Sequence, residues 1–162
     1  MLRVVVAVTL SVALLTVTLP ALETARRDHS DHRVAAELDG LTAAIRDFHA
    51  REAGVSANAA GARRVVTVQL PPRTWTDAGV EYVAIGSHPD HAGVDERNET
   101  TFVWQVSGSQ PRTWRLTDVP VEAATPSGGD TPLVIREAGR HRLAVSLVVR
   151  DGQRTVVVRR VS

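Results

Sequence analysis

Residues 4–22 read VVVAVTLSVALLTVTLPAL, a run without a charged side chain. At ~1.5 Å rise per residue, a helix of this length covers ~28 Å, close to the ~30 Å hydrocarbon core of a bilayer. The hydroxyl groups in the run are compatible with lipid, because each can donate a hydrogen bond to a carbonyl one turn earlier. A chain of 162 residues is too small to surround such a helix on all sides, so we predict a transmembrane anchor over residues 1–25.

A cleaved signal peptide is the alternative interpretation of this run. Arg3 supplies a minimal positive region ahead of it. Leu19 and Leu22, however, break the pattern of small residues that signal peptidase requires, whether the cut follows Ala21 or Ala25. We therefore expect the segment to be retained as an anchor in the lipid bilayer.

Residues 26–54 change to the periodicity of an amphipathic helix. Apolar side chains recur at steps of three and four residues, which places them on one stripe of an α-helix. This helix stripe consists of Val34, Leu38, Leu41, Ile45 and Phe48. It can dock on a sheet of the same chain, or it can pair with neighbouring subunits in a homo- or hetero-oligomer. Both uses stay open, because the segment is too short to define a coiled coil.

From residue 63 onward, short apolar runs alternate with turn residues, as is typical of β-strands. Residues 55–62 form a linker, and residues 63–162 form a β-rich soluble domain with residues 120–131 as a loop. The fold class is therefore α+β, with an antiparallel sheet or sandwich of about six or seven strands. We predict strands at residues 65–70, 80–85, 101–107, 112–119, 142–150 and 153–161.

The last two of these strands flank Asp151-Gly152, a dipeptide that favours a type I′ turn because both positions need positive φ. A two-residue loop places Leu147 opposite Val156 and Val145 opposite Val158. Both pairs then lie on one face, so the turn and the hydrophobic pattern predict the same register.

The aromatic residues are few, and most fit a core. Phe102, Trp104 and Val106 alternate along one predicted strand and should point inward, and Trp114 alternates with Leu116 in the same way. Trp75, next to a proline-rich turn, is the tryptophan we expect to be exposed. The alternative is an aromatic surface that stacks on a glycan.

Composition excludes several classes of function. The 19 basic residues, all arginine, nearly balance 18 acidic residues, so we expect no nucleic-acid partner. The absence of cysteine excludes disulfides, thiolate metal sites and cysteine nucleophiles.

Candidate chemistry is also sparse. Histidine and aspartate cluster at residues 28–32 and again at residues 88–91, and on a helix His29 and His32 would share a face. Zinc needs at least a third ligand, and nothing in the sequence joins the two clusters. No nucleophile elbow, metalloprotease motif or phosphate loop is present. We therefore predict no catalytic residue, metal site, cofactor or small-molecule substrate, and a protein that is not an enzyme.

The orientation of the body is contested within the sequence. Arg26, Arg27 and Arg33 follow the anchor and only Arg3 precedes it, which by the positive-inside rule favours a cytoplasmic body. Asn98-Glu99-Thr100, in contrast, matches the acceptor sequon for N-glycosylation, which is used only outside the cell.

Three segments carry a resemblance: Met1-Leu2-Arg3 with its apolar run and Ala-rich helix, residues 61–67, and residues 139–143 with the hairpin. Together they resemble haloarchaeal membrane-anchored proteins of a family of unknown function. The order of helix and sheet also resembles type IV pilins and pseudopilins, although Arg3 directly precedes the run and no acidic residue lies inside it. This resemblance implies a single-pass protein with an exterior body that acts as an accessory or structural subunit of a surface filament or secretion assembly. The alternative is a tethered extracellular β-sandwich that binds a glycan or a protein.

Overall fold

The computed structural model describes residues 2–52, 55–56, 62–86, 100–125, 131–150 and 152–161. Its first element is a single helix, α1 (Leu2–Arg51), so the predicted anchor and the predicted amphipathic helix are one continuous rod. Pro20 lies inside α1 without ending it. The Asn98 sequon and the histidines at positions 88 and 91 lie outside the described residues.

The hydroxyl groups of the apolar run bond as predicted. Thr9 Oγ1 donates to the Val5 carbonyl at 2.8 Å, and Thr18 Oγ1 donates to the Leu14 carbonyl at 3.0 Å. Ser11 makes the same kind of bond. Each hydroxyl is thereby satisfied within the helix, which removes the cost of placing it in an apolar medium.

Nine strands follow α1 in the described residues. They are β1 (Val55–Ser56), β2 (Arg63–Leu70), β3 (Val80–Gly86), β4 (Thr100–Val106), β5 (Arg112–Leu116), β6 (Val121–Ala123), β7 (Leu133–Ile135), β8 (Gly139–Arg150) and β9 (Gln153–Val161). One sheet has the order β1-β8-β9-β6 with β2 also paired to β8, and the other has the order β5-β4-β3-β7. The predicted α+β class with a two-sheet body is confirmed.

The strand pattern differs from the prediction in three short elements. β6 lies in the segment predicted as a loop, β7 was not predicted, and β1 lies inside the predicted linker. Two of these strands pair in parallel, β1 with β8 and β6 with β9, so the first sheet is not wholly antiparallel. Strands of two or three residues are too short to show an alternating pattern, which explains why the sequence did not reveal them.

The hairpin register is confirmed. Val145 lies opposite Val158 and Leu147 lies opposite Val156. Gly152 has φ +79°, in the left-handed region that a type I′ turn needs. All four paired side chains are fully buried.

Both sheets and α1 share one hydrophobic core. Leu143 and Val145 from the first sheet, and Ile85 and Phe102 from the second, belong to the same buried cluster as the helix stripe. The helix contacts β2, β4, β8 and β9, so it touches both sheets. The body is therefore a two-sheet structure that is completed by the C-terminal half of α1.

Candidate functional site

The two halves of α1 lie in opposite environments. From Leu2 to Leu22 the large apolar side chains are between 52% and 78% exposed. This half contains the described window that is long and apolar enough to cross a membrane, and none of that window is buried within the protein. Within the described residues, no other part of the protein therefore covers the anchoring half.

The structure places the whole helix stripe inside the protein. The exposed fraction is 0–4% for each of its five residues. They pack in one cluster with core residues of both sheets, including Leu143 of the first sheet and Phe102 of the second. Docking on the chain's own sheets is therefore the use that the stripe has here. An assembly surface on this half of α1 would have to use its other faces.

A loop over residues 71–79 is hydrogen-bonded to α1 immediately after the apolar run. Arg26 donates hydrogen bonds to the carbonyls of Thr74 and Asp77, the second at 3.2 Å. Ser30 Oγ accepts a hydrogen bond from the backbone N–H of Ala78 at 2.9 Å. Residues 26 and 30 are one turn apart, so the loop lies along one side of the helix.

Asp77 is the centre of this junction. Arg33 Nη1 lies 3.1 Å from Asp77 Oδ1, and both threonine hydroxyls, Thr74 and Thr76, donate to Oδ2 at 3.2 Å. Burial raises the pKa of Asp77, but the hydrogen bond from Thr74, the charge of Arg33 and the bond from Thr76 together hold that pKa below its ordinary value. The side chain is 8% exposed, so its charge is stabilised by these partners and not by water.

Gly79 closes the loop. Its φ of +81° favours glycine, and a Cβ at this position would lie 2.9–3.1 Å from atoms of Arg73. The chain must therefore turn tightly here to bring Arg73 beside the start of β3.

The second sheet is tied to the same part of the helix through Asp31. Trp104 Nε1 donates to Asp31 Oδ1 at 2.9 Å, and Arg112 Nε lies 3.1 Å from Asp31 Oδ2. Trp104 is 7% exposed, as expected for an inward residue of β4. One carboxylate thus satisfies a buried indole N–H and pairs with an exposed guanidinium.

The far end of the helix has exposed ion pairs. Arg46 Nε lies 2.7 Å from Asp118 Oδ2, and the hydrogen bond from Arg46 lowers the pKa of Asp118 below its ordinary value. Arg64 Nη1 lies 3.2 Å from Asp47 Oδ2. Such pairs orient the helix but are screened by solvent.

A polar cleft of about 260 Å³ opens between the helix, the 71–79 loop and the turn after β4. We call this the juxtamembrane cleft. Its lining consists of Glu23, Arg26, Arg27, Arg73, Ala78, Glu81, Ser107 and Gly108. Arg27 is paired with Glu23 at 2.7 Å. The cleft begins at Glu23, the first charged residue after the apolar run.

Both histidines of the cluster at residues 28–32 contact other groups of the protein. His32 Nδ1 lies 2.7 Å from the Asp28 carbonyl, and His29 Nε2 lies 3.8 Å from Asp77 Oδ1. Among the described residues, no three potential ligands come together in a way that could hold a metal ion.

The tryptophans differ in exposure as the sequence predicts. Trp75 is 82% exposed. Trp114 is half-buried, with its ring centroid 6.1 Å from that of Phe102. Because Trp75 is exposed while Trp104 is buried and Trp114 is half-buried, the three tryptophans do not form a continuous exposed surface for a glycan.

Sequence patterns missed the junction at Asp77. Arg33 on α1 donates to Asp77 across 44 residues, and Ser30 on α1 accepts a hydrogen bond from the N–H of Ala78 across 48 residues. A usable signal was the spacing of Arg26, Ser30 and Arg33, which share one side of a helix next to the helix stripe, with Ser30 one turn before Val34.

Comparison with known proteins gives one family. Residues 1–161 match the model of a domain of unknown function, DUF7311. The chain belongs to this family. The match covers the anchoring half of α1 together with the two-sheet body, so both are parts of the same family unit. No curated protein and no solved structure matches the chain significantly.

Proposed function

We propose that this protein is a membrane-anchored, non-enzymatic subunit of a surface filament or secretion assembly, with an architecture like that of pilins and pseudopilins. The observation that carries the proposal is the single helix Leu2–Arg51. Its first half is apolar and exposed, and its second half packs on two sheets. A bare apolar half-helix needs lipid or other helices as its surroundings.

The position of the assembly surface follows from burial. The helix stripe packs within the monomer, and the largest exposed apolar surface of α1 is its first half, so we assign the contact with neighbouring subunits to that half. Helices in lipid associate through close packing and hydrogen bonds between them, and this half carries small and hydroxyl residues such as Ala7, Ser11 and Thr18.

We place the two-sheet body outside the cell. The resemblance to anchored surface proteins and the Asn98 sequon favour this orientation, against the arginines that follow the anchor. Protease treatment of intact cells tests it. An exterior body is digested without lysis, whereas a body that is protected until lysis contradicts the assignment.

Disulfide cross-linking tests the assembly role, because the natural chain contains no cysteine. Single cysteines at Val12, Leu14, Leu15 and Val17 sample all sides of the exposed half-helix. We expect oxidised membranes to yield covalent dimers from the positions on one side. Arg154→Cys, at an exposed site on β9, is the control for random collision. A strictly monomeric product at all four helix positions would contradict the proposal.

The second candidate is a tethered binding module for a glycan or a protein. The observation that favours it is that the helix stripe packs against the sheets of the same chain. The second half of α1 and the body therefore share a core without a second subunit. Screening the full chain in lipid nanodiscs against a glycan array tests the glycan form. Specific binding together with absence of cross-links would favour this candidate over assembly.

A further inference from the structure

We propose that Trp75 and the arginines of the juxtamembrane cleft form a contact with lipid headgroups, in which the indole inserts at the bilayer interface and Arg73 and Arg26 bind lipid phosphates. This inference rests on the membrane anchoring proposed above. It adds a second point of attachment, on the body, to the one provided by the helix.

The depth of the 71–79 loop supports this contact. Arg26 comes four residues after Leu22, which is ~6 Å along the helix. The headgroup region extends ~5–8 Å beyond the hydrocarbon core on each side. Because Arg26 holds the Thr74 carbonyl, the next residue, Trp75, lies close to the level of the headgroups.

Trp75 is unusual among the large apolar residues of the body. It is 82% exposed, while Val65, the other large apolar side chain of the described body with an exposed surface, is 43% exposed. An indole has an apolar ring and a polar N–H, and tryptophan is enriched at the membrane–water interface for that reason. Its exposure is explained if the bilayer surface is what it contacts.

The charges of the cleft also favour a phosphate partner. Arg26 lines the cleft, and its hydrogen bonds in the described structure go from Nη2 to backbone carbonyls, which do not neutralise its charge. Arg73 is exposed, and within the described residues no carboxylate pairs with it. Arg27 is already neutralised by Glu23, and Glu81 contributes one negative charge. Two guanidinium groups are thus left to bind an anion beside the exposed indole.

Fluorescence quenching by brominated lipids tests the tryptophan contact. The full chain is reconstituted in phosphatidylcholine vesicles with bromine near the headgroups, and flotation first shows whether it is anchored. We expect Trp75→Phe to reduce the quenched emission about twofold or more, because the other two tryptophans lie within the body. Trp114→Phe is the control and should keep the quenching.

The outcomes separate the two proposals. If the chain does not float with vesicles, the anchoring itself fails. If it floats but Trp75→Phe is quenched as strongly as the natural chain, the headgroup contact is overturned while anchoring stands.

The arginine contact is tested through lipid preference. Energy transfer from the tryptophans to labelled phosphatidylglycerol is compared with transfer to labelled phosphatidylcholine, after subtraction of the signal that remains in Trp75→Phe. We expect Arg73→Gln to lower the preference for the anionic lipid about fivefold. Arg115→Gln, an exposed arginine on β5 opposite Thr101, is the matched control and should leave the preference unchanged. Equal preferences in the natural chain and Arg73→Gln would overturn the phosphate contact.

Discussion

The first and second halves of α1 have the same backbone conformation but opposite surroundings. Val17 in the first half is 75% exposed, whereas Val34 in the second half is fully buried. The second half shows a stripe because one side meets the sheets and the other meets water. The first half has apolar residues on all sides, as a helix needs when lipid surrounds it.

The comparison shows that helix propensity alone does not set the role of a segment. Gly40 and Pro20 are weak helix formers, yet both lie within the same continuous helix. The second half is held by tertiary contacts with the sheets, and the first half is suited to a medium in which backbone groups must be satisfied internally. Variants in the two halves should therefore have very different consequences.

The largest difference is expected for leucine truncation. Leu38→Ala removes a fully buried side chain from the shared core, and we expect a loss of about 2–5 kcal/mol in the free energy of unfolding of the body. Leu14→Ala, in the exposed half, is the matched control and should change it by less than ~0.5 kcal/mol. Urea unfolding of the full chain in detergent, followed by tryptophan fluorescence, measures both. Equal effects would contradict the contrast between the halves.

A smaller effect is expected at the junction with the 71–79 loop. Asp77→Asn removes the charge that pairs with Arg33 and leaves a buried polar group with fewer partners, so we expect a loss of about 1–3 kcal/mol. Asp118→Asn removes an exposed ion pair with Arg46 and should cost less, because solvent screens that pair. The same unfolding measurement compares them, and a larger loss for Asp118→Asn would contradict the central place of Asp77.

The same carboxylate predicts an acid dependence. The pKa of Asp77 is lowered in the folded protein, so its contribution to stability is present above the unfolded pKa of ~3.9 and is lost as the pH falls through the folded value. Asp118 and Glu137 have pKa values lowered in the same direction. We expect Asp77→Asn to flatten the fall in unfolding free energy below about pH 4. Parallel pH profiles for the natural chain and the variant would refute this.

The smallest expected effect is a gain. Gly40 lies in α1, and a Cβ added there meets nothing within 4 Å. Gly40→Ala should therefore raise the free energy of unfolding by roughly 0.5–1 kcal/mol through helix propensity alone. The midpoint of thermal unfolding should rise with it. A destabilised variant would contradict the open surroundings of position 40.

Features with a local period were predictable from the sequence. The apolar run, the helix stripe and the hairpin at Gly152 each depend on spacing within a short segment. The pairing of Val145 with Val158 follows because turn chemistry and alternation agree. These elements account for both halves of α1 and the longest strands.

The junction between α1 and the 71–79 loop was not predictable in the same way. Its bonds join α1 to a loop more than forty residues later, and no local pattern records a contact between Ser30 and the N–H of Ala78. The parallel pairing of β6 with β9 has the same character, since it joins residues 35 apart in sequence, such as Val121 and Val156, and is not set by a turn. Tertiary packing, which a single sequence does not encode as a period, decides these features.

Site-directed spin labelling of the full chain in liposomes tests the central claim most directly. Single cysteines are placed at successive positions of α1, and the accessibility of each label to oxygen and to a water-soluble nickel reagent is measured. The claim predicts that labels from Val5 to Leu22 are accessible to oxygen and inaccessible to nickel on every side of the helix. For labels from Ser30 to Phe48, it predicts that accessibility varies with a helical period. Labels on the helix stripe should be inaccessible to both reagents. A helical period with water-accessible positions throughout the first half would contradict it.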